Sequence, residues 1–186
     1  MMNHKGWRGA AISTVAATMF VGCARDPVRV ERSDVTRLAA VGSAALVKTS
    51  ANGSFTQTAI TSIDVQTAGK NTIIAQTAVG TLTGTLAGQF NDNLTVVIHP
   101  NGKFNAHFTI TCACTVDGKQ GVVGIVAGDT GELVSPTLAV FAGRAVINGG
   151  TGALSRLRGV LQIEGTVNVT TGLATYGYTG DIHFEP

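Results

Sequence analysis

Hydrophobic and polar side chains alternate along most of the chain from Phe55 to Phe184, and few segments there carry a helical period. In GTLTGTLAGQF (80–90), Leu82, Leu86 and Phe90 share a face with Gly80, Gly84 and Gly88, while Thr81, Thr83, Thr85 and Gln89 take the other. An apolar face that alternates large and small residues suits a tightly curved sheet, where bulky side chains at every position would collide. KFNAHFTITCACT (103–115) is the cleanest strand: Phe104, Ala106, Phe108, Ile110, Cys112 and Cys114 fall on one side, and Asn105, His107, Thr109 and Thr111 on the other. NDN (91–93), PNG (100–102) and VDGK (116–119) read as turns, and DTGELVSPT (129–137) as a connection. With LAVFAGRAVI, RGVLQIEGTVNV and LATYGYTGDIHF, the pattern predicts about eight or nine strands joined by short links. An antiparallel meander of that size closes on itself because closure removes exposed edges. The expectation is therefore all-β: a single antiparallel, eight-stranded (eight or nine) closed β-barrel spanning 51–186, with an open two-sheet sandwich as its competitor.

INGGTGALSRLRG (147–159) interrupts this pattern with Gly149, Gly150 and Gly152, followed by Arg156 and Arg158. A nucleotide-binding loop needs its glycines to lead into a helix whose amino end faces the phosphates. Here the next segment, VLQIEGTVNV, alternates as a strand, so the glycines are expected to turn a corner using positive φ. The string NGGTGALSRLRGVLQIEG, with the closing YGYTGDIHF, resembles the end of the allene oxide cyclase and dirigent barrel superfamily, including bacterial members of unassigned function. The likeness covers roughly 55–184. It implies a barrel with a hydrophobic cavity, which in the enzymes and dirigents of that superfamily holds an oxylipin or a phenolic radical pair and guides cyclisation or coupling without a metal. No catalytic acid of the superfamily aligns to a position here, so none is transferred.

The amino terminus changes the picture of where the barrel works. Lys5 and Arg8 precede the apolar stretch AAISTVAATMFV (10–21), the pattern of an export signal. FVGCA (20–24) then resembles the lipobox of bacterial lipoproteins, in which the cysteine thiol, here Cys23, is lipidated and becomes the new amino terminus. Cleavage after Ala24 by an ordinary signal peptidase is the alternative. The expectation is a signal peptide at 1–22, a lipidated terminus and tether at 23–50, and attachment to the membrane in the bacterial cell envelope, on its periplasmic or extracellular face. The 186 residues carry 13 basic and 11 acidic side chains, and without Lys5 and Arg8 the two signs balance. No basic face of the kind nucleic acids require is visible, so that partner is not expected.

Candidate chemistry is sparse. Cys112 and Cys114 stand one residue apart on a strand, about 7 Å by strand rise, beyond comfortable disulfide reach. They read as buried thiols, with a disulfide next and a metal site disfavoured because His99, His107 and His183 do not converge on them. Tyr176 and Tyr178 share a face with Ile182 and Phe184, so with Phe108, Cys112 and Cys114 they are the candidate barrel-lining residues. Arg144 reads as facing solvent. Asp64, Glu164 and Asp181 are dispersed, and no nucleophile frame holds the Ser, His and Asp residues. No catalytic residue, metal or cofactor is assigned. The reading is a non-catalytic barrel that binds a small apolar ligand. A cofactor-independent cyclase or isomerase, and a structural envelope protein with a filled barrel, are the alternatives.

Overall fold

The computed structural model describes residues 47–186. The signal peptide, Cys23 and all but the last residues of the tether lie outside the described residues. Eight strands follow in order: β1 Thr49–Ala68, β2 Asn71–Gly84, β3 Ala87–Ile98, β4 Lys103–Val116, β5 Lys119–Ser135, β6 Leu138–Gly150, β7 Leu157–Asn168 and β8 Leu173–Phe184. Each pairs antiparallel with the next, and β8 pairs with β1 to close the barrel. The expected all-β, eight-stranded closed barrel is the fold found. It begins two residues early, because Thr49 and Ser50 already pair with Ile182 and Asp181.

The period of two decides which side chains fill the ring. Phe104, Ala106, Phe108, Ile110, Cys112, Cys114 and Val116 of β4 are all buried, and the residues between them are exposed or half-buried. The outward face is rich in Thr, Asn, Gln and Gly, the reverse of a barrel whose outer wall meets lipid. Inside, aromatic rings lie opposite glycines on neighbouring strands: Phe90 opposite Gly80, Phe104 opposite Gly131, Tyr176 opposite Gly165 and Tyr178 opposite Gly53. A Cβ added to any of these glycines would run into its partner aromatic residue. The rings cluster around Phe55, which stacks on Tyr176 at 4.7 Å and meets Tyr178 edge-on at 5.2 Å.

Two turns are not where the alternation placed them. The break between β2 and β3 falls at 85–86, and Asn91–Asn93 lies inside β3. Gly84 turns with φ +96°, while the Tyr178 hydroxyl accepts from the Leu86 N–H at 2.9 Å and donates to the Thr83 carbonyl at 3.1 Å. The hairpin keeps Leu82, Leu86 and Phe90 in phase, so the pattern runs through it unbroken. Likewise 129–135 is not a connection but the second half of β5, and only 136–137 turn.

The corner at 151–156 behaves as expected. Gly149 has φ +103°, a short 3-10 turn follows at Gly152–Leu154, and no long helix begins there. Arg158 is held by an ion pair to Glu185 at 2.9 Å and by the carbonyls of Ser155 and Leu157. The two β4 cysteines are a correction: Cys112 and Cys114 form a disulfide rather than two thiols. Their Cα atoms are 5.3 Å apart, less than an ideal strand spacing and inside the range a bridge spans. Arg144 stands on the outer face, across from Gln162.

Because the inward glycines are spaces for rings, Gly80→Ala, whose new Cβ would run into the Phe90 ring, is expected to destabilise the barrel by about 1–3 kcal/mol, the usual range for overpacking. Urea unfolding checks it.

Candidate functional site

The barrel is packed at one end and hollow at the other. At the end with turns 85–86, 117–118 and 151–156, side chains such as Leu86, Val116, Leu154 and Leu157 fill the ring completely. The other end carries the turns 69–70, 99–102, 136–137 and 169–172. There the inner faces of the strands line an outer cavity of about 260 Å³, bounded by residues including Ile60, Ile63, Ile74, Ile98, Leu133 and Val169. Below it sits an inner cavity of about 50 Å³. Gln57, Leu94, Val96, Phe104, Val167 and Ala174 line both, so the two form one apolar funnel narrowing into the barrel. Two register shifts in β1, on either side of Ala59 and Ile60, help to open it. Each inserts a residue, Thr58 or Thr61, and together they restore the phase that keeps Ile60 and Ile63 on the inner face.

Polar groups gather at the bottom. Asp92 on β3 is 2 % exposed, and Asp129 on β5 reaches the same inner cavity, as does Tyr176 of β8, 4 % exposed. Gln57 of β1 connects them to the backbone: its Nε2 donates to Asp92 Oδ2 at 2.7 Å, and its Oε1 accepts from the Ala174 N–H at 2.9 Å. That leaves Asp92 Oδ1, Asp129 Oδ1 and the Tyr176 hydroxyl buried with no protein partner, and Gln76 Nε2 likewise in the funnel wall. Buried polar atoms are nearly always hydrogen-bonded, so three unpaired ones around a single cavity mark it out. Among the described residues, none of the side chains lining either cavity is basic. Burial raises the Asp129 carboxyl from its usual 3.8 to about 7. It raises Asp92 to about 6, the hydrogen bond from Gln57 pulling the other way. The Tyr176 hydroxyl is pushed well above its usual 10, by burial first and then by the two carboxylates. Such acids hold protons near neutral pH and can donate them to a bound oxygen, or accept donors from a bound group once ionised.

The sequence-derived candidates divide between the two halves. Tyr176 and Phe108 line the inner cavity. Cys112, Cys114 and Tyr178 also point inward, but into the packed half, where the Tyr178 hydroxyl is spent on the 85–86 turn. Asp92, Asp129, Gln57 and Gln76 were not among the candidates. A larger open depression of about 1130 Å³ crosses the outer wall beside Asn105, His107, Arg144, Gln162 and Glu164. These five side chains are exposed, Asp129 borders the depression as well as the inner cavity, and the funnel, with its buried polar floor, is the better candidate.

The fold is shared with solved structures. A protein of unknown function of the DUF3224 family from Shewanella oneidensis MR-1 superposes with a TM-score of 0.51 at 16 % identity, over 75 % of this chain and 99 % of its own. The pterocarpan synthase dirigent proteins PsPTS1 and GePTS1 each give a TM-score of 0.45 at 18 % identity, over 75 % of this chain and 97 % and 87 % of theirs. No family model and no curated protein matches the chain. The likeness to the Shewanella protein is one of fold and assigns no activity.

The acids give the site a pH signature. Below about pH 3.8 both carboxyls are protonated whether the chain is folded or not. As pH rises from there the unfolded chain loses those protons first, while the folded barrel keeps them until about pH 6–7. The folded state binds more protons across that window, so stability falls with rising pH and levels off above it. The melting temperature is expected to drop between about pH 4 and pH 7, and Asp129→Asn to flatten that drop, as thermal scans at each pH would show.

Proposed function

We propose that the barrel is a binding module for a small, mostly apolar ligand, which enters between the hairpins at the hollow end and rests its polar end on Asp92, Asp129 and Tyr176. The observation that carries this reading is the funnel itself: an apolar wall leading to buried polar atoms that nothing among the described residues satisfies. Pockets of this kind, apolar with a few convergent polar groups, are the common form of small-molecule sites. A second reading, a cofactor-independent isomerase or cyclase, is favoured by one feature: a carboxyl near 7 beside a buried phenol can pass a proton at neutral pH. Chemical change in a compound recovered from the barrel separates the two.

The barrel is further proposed to be held in the cell envelope by lipid on Cys23, with the residues up to β1 as its tether. Mass spectrometry of the mature terminus is expected to find a diacylglyceryl Cys23, and Cys23→Ser to release the protein from membranes; an unmodified start at Arg25 would sink the anchor.

For the funnel, an apolar fluorescent dye is expected to bind the native protein with a saturable signal. Val96→Phe, which fills the shared wall of both cavities, should weaken that binding about tenfold or more while circular dichroism stays that of the barrel. A dye signal unchanged by this substitution would exclude the funnel as the site.

A further inference from the structure

Once its two acids are ionised, the floor of the funnel offers more acceptors than donors, and the Tyr176 hydroxyl there can do both. Asp92 Oδ1 and Asp129 Oδ1 are unpaired, and an ionised carboxylate only accepts hydrogen bonds. The Tyr176 oxygen is the third unpaired atom around the same small cavity. The walls beside these atoms are aromatic: Phe108 and Phe141 meet the Tyr176 ring edge-on, at 6.1 and 5.5 Å between centroids, and both line the cavity. Two acids with no basic partner among the described residues, a phenol oxygen and rings that attract positive charge form a receptor for a cation. A cation with its own hydrogen-bond donors matches best, since three separate acceptors await it.

Resting on the reading of the funnel as a ligand site, we propose that the polar end of the ligand is a primary ammonium: an alkylamine whose three N–H groups are received by Asp92, Asp129 and Tyr176, with its hydrocarbon tail in the apolar funnel. An ammonium carries three donors and no acceptor, the complement of this floor. Its charge offsets what burial imposes on the two carboxylates, and a tail of several methylenes covers the isoleucines and leucines above.

Ammonium binding responds to pH with a sign that a neutral ligand cannot copy. An ammonium needs both carboxylates ionised, so its binding strengthens as pH rises through about 6 and 7. A ligand that presents an alcohol or carbonyl oxygen takes hydrogen bonds from the protonated acids, so its binding strengthens as pH falls. The polar and aromatic groups that share the inner cavity with the two acids are Gln57, Phe104, Phe108, Phe141 and Tyr176, and of these only Tyr176 titrates. His107, Arg144 and Glu164 lie on the outward faces of their strands.

Calorimetry on the native protein with n-hexylamine, hexan-1-ol and hexanoate tests this. At about pH 8 the amine is expected to bind at least tenfold more tightly than the alcohol, and to weaken at least tenfold by about pH 5.5. Titration near pH 6.5 in buffers of different ionisation enthalpy should show protons released as the amine binds. Asp92→Asn and Asp129→Asn should each abolish the preference for the amine and keep alcohol binding, which also shows that the variants are folded. An alcohol that binds as well as the amine at pH 8, an amine affinity that rises towards acid, or asparagine variants that keep the preference would each overturn the ammonium assignment and leave the funnel reading standing. If none of the three compounds nor the apolar dye binds, the funnel reading falls, and the assignment with it.

Discussion

An aromatic ring laid over the bare Cα of a glycine on the neighbouring strand is the contact on which this barrel depends. Eight strands enclose a narrow section, and bulky side chains from every strand at one level would collide. The chain meets that limit by pairing: Phe90 over Gly80, Phe104 over Gly131, Tyr178 over Gly53. Each pair lets one strand supply volume and its neighbour supply room. The apolar area of the ring is buried without forcing the strands apart. This is also why the interior is asymmetric, because where the rings and leucines end, the section is left unfilled.

At that boundary the structure stops following its own stability. Asp92 and Asp129 sit among rings and aliphatic carbons, with atoms that nothing in the barrel pairs. Leucine or valine at either position would continue the apolar phase of its strand and remove the desolvation of a carboxyl. Gln57 fixes one oxygen of Asp92 and is itself fixed by the Ala174 N–H, so the acid is held in place rather than hidden. The β1 bulges begin directly beyond Gln57, along the funnel wall that Ile60 and Ile63 line. Orientation, exposure to a cavity and an unpaired atom occur together at one level of the barrel. That coincidence, more than any single residue, separates a site from a flaw in packing.

The ring was legible in the sequence because strict alternation and glycine spacing have few other physical solutions, and the corner at Gly149 because its glycines lead into a strand. The acids were not. Asp92 occurs in NDN and Asp129 in DTGEL, strings whose residues favour turns by composition, and both were read that way. The signal that could have found them is phase. Asp92 falls in register with Phe90, Leu94, Val96 and Ile98, and Asp129 with Ile125, Ala127 and Leu133, so each acid occupies an inward position of an otherwise apolar series. Alternation also ran through the 85–86 hairpin without a break, which pushed the expected turn onto Asp92 and hid it twice over. The disulfide was missed for a different reason: an ideal strand rise was assumed at a place where the Cα atoms of Cys112 and Cys114 draw together to 5.3 Å.

The packed half of the barrel, in turn, gives the funnel its single direction. Leu86, Val116, Leu154 and Leu157 are wholly buried at the far end, and the Tyr178 hydroxyl ties the 85–86 turn across it. A ligand lying in the funnel therefore approaches the acids from the hairpins at 69–70, 99–102, 136–137 and 169–172, and whatever part of it enters first ends at the floor. An amphiphile that led with its tail would set hydrocarbon against two carboxyls and leave its polar end among Ile63, Ile74, Leu133 and Val169. One that leads with its polar end satisfies both at once. The gradient from apolar rim to acidic floor thus selects orientation as well as affinity, and it does so with side chains whose placement follows from the same alternation that closes the barrel.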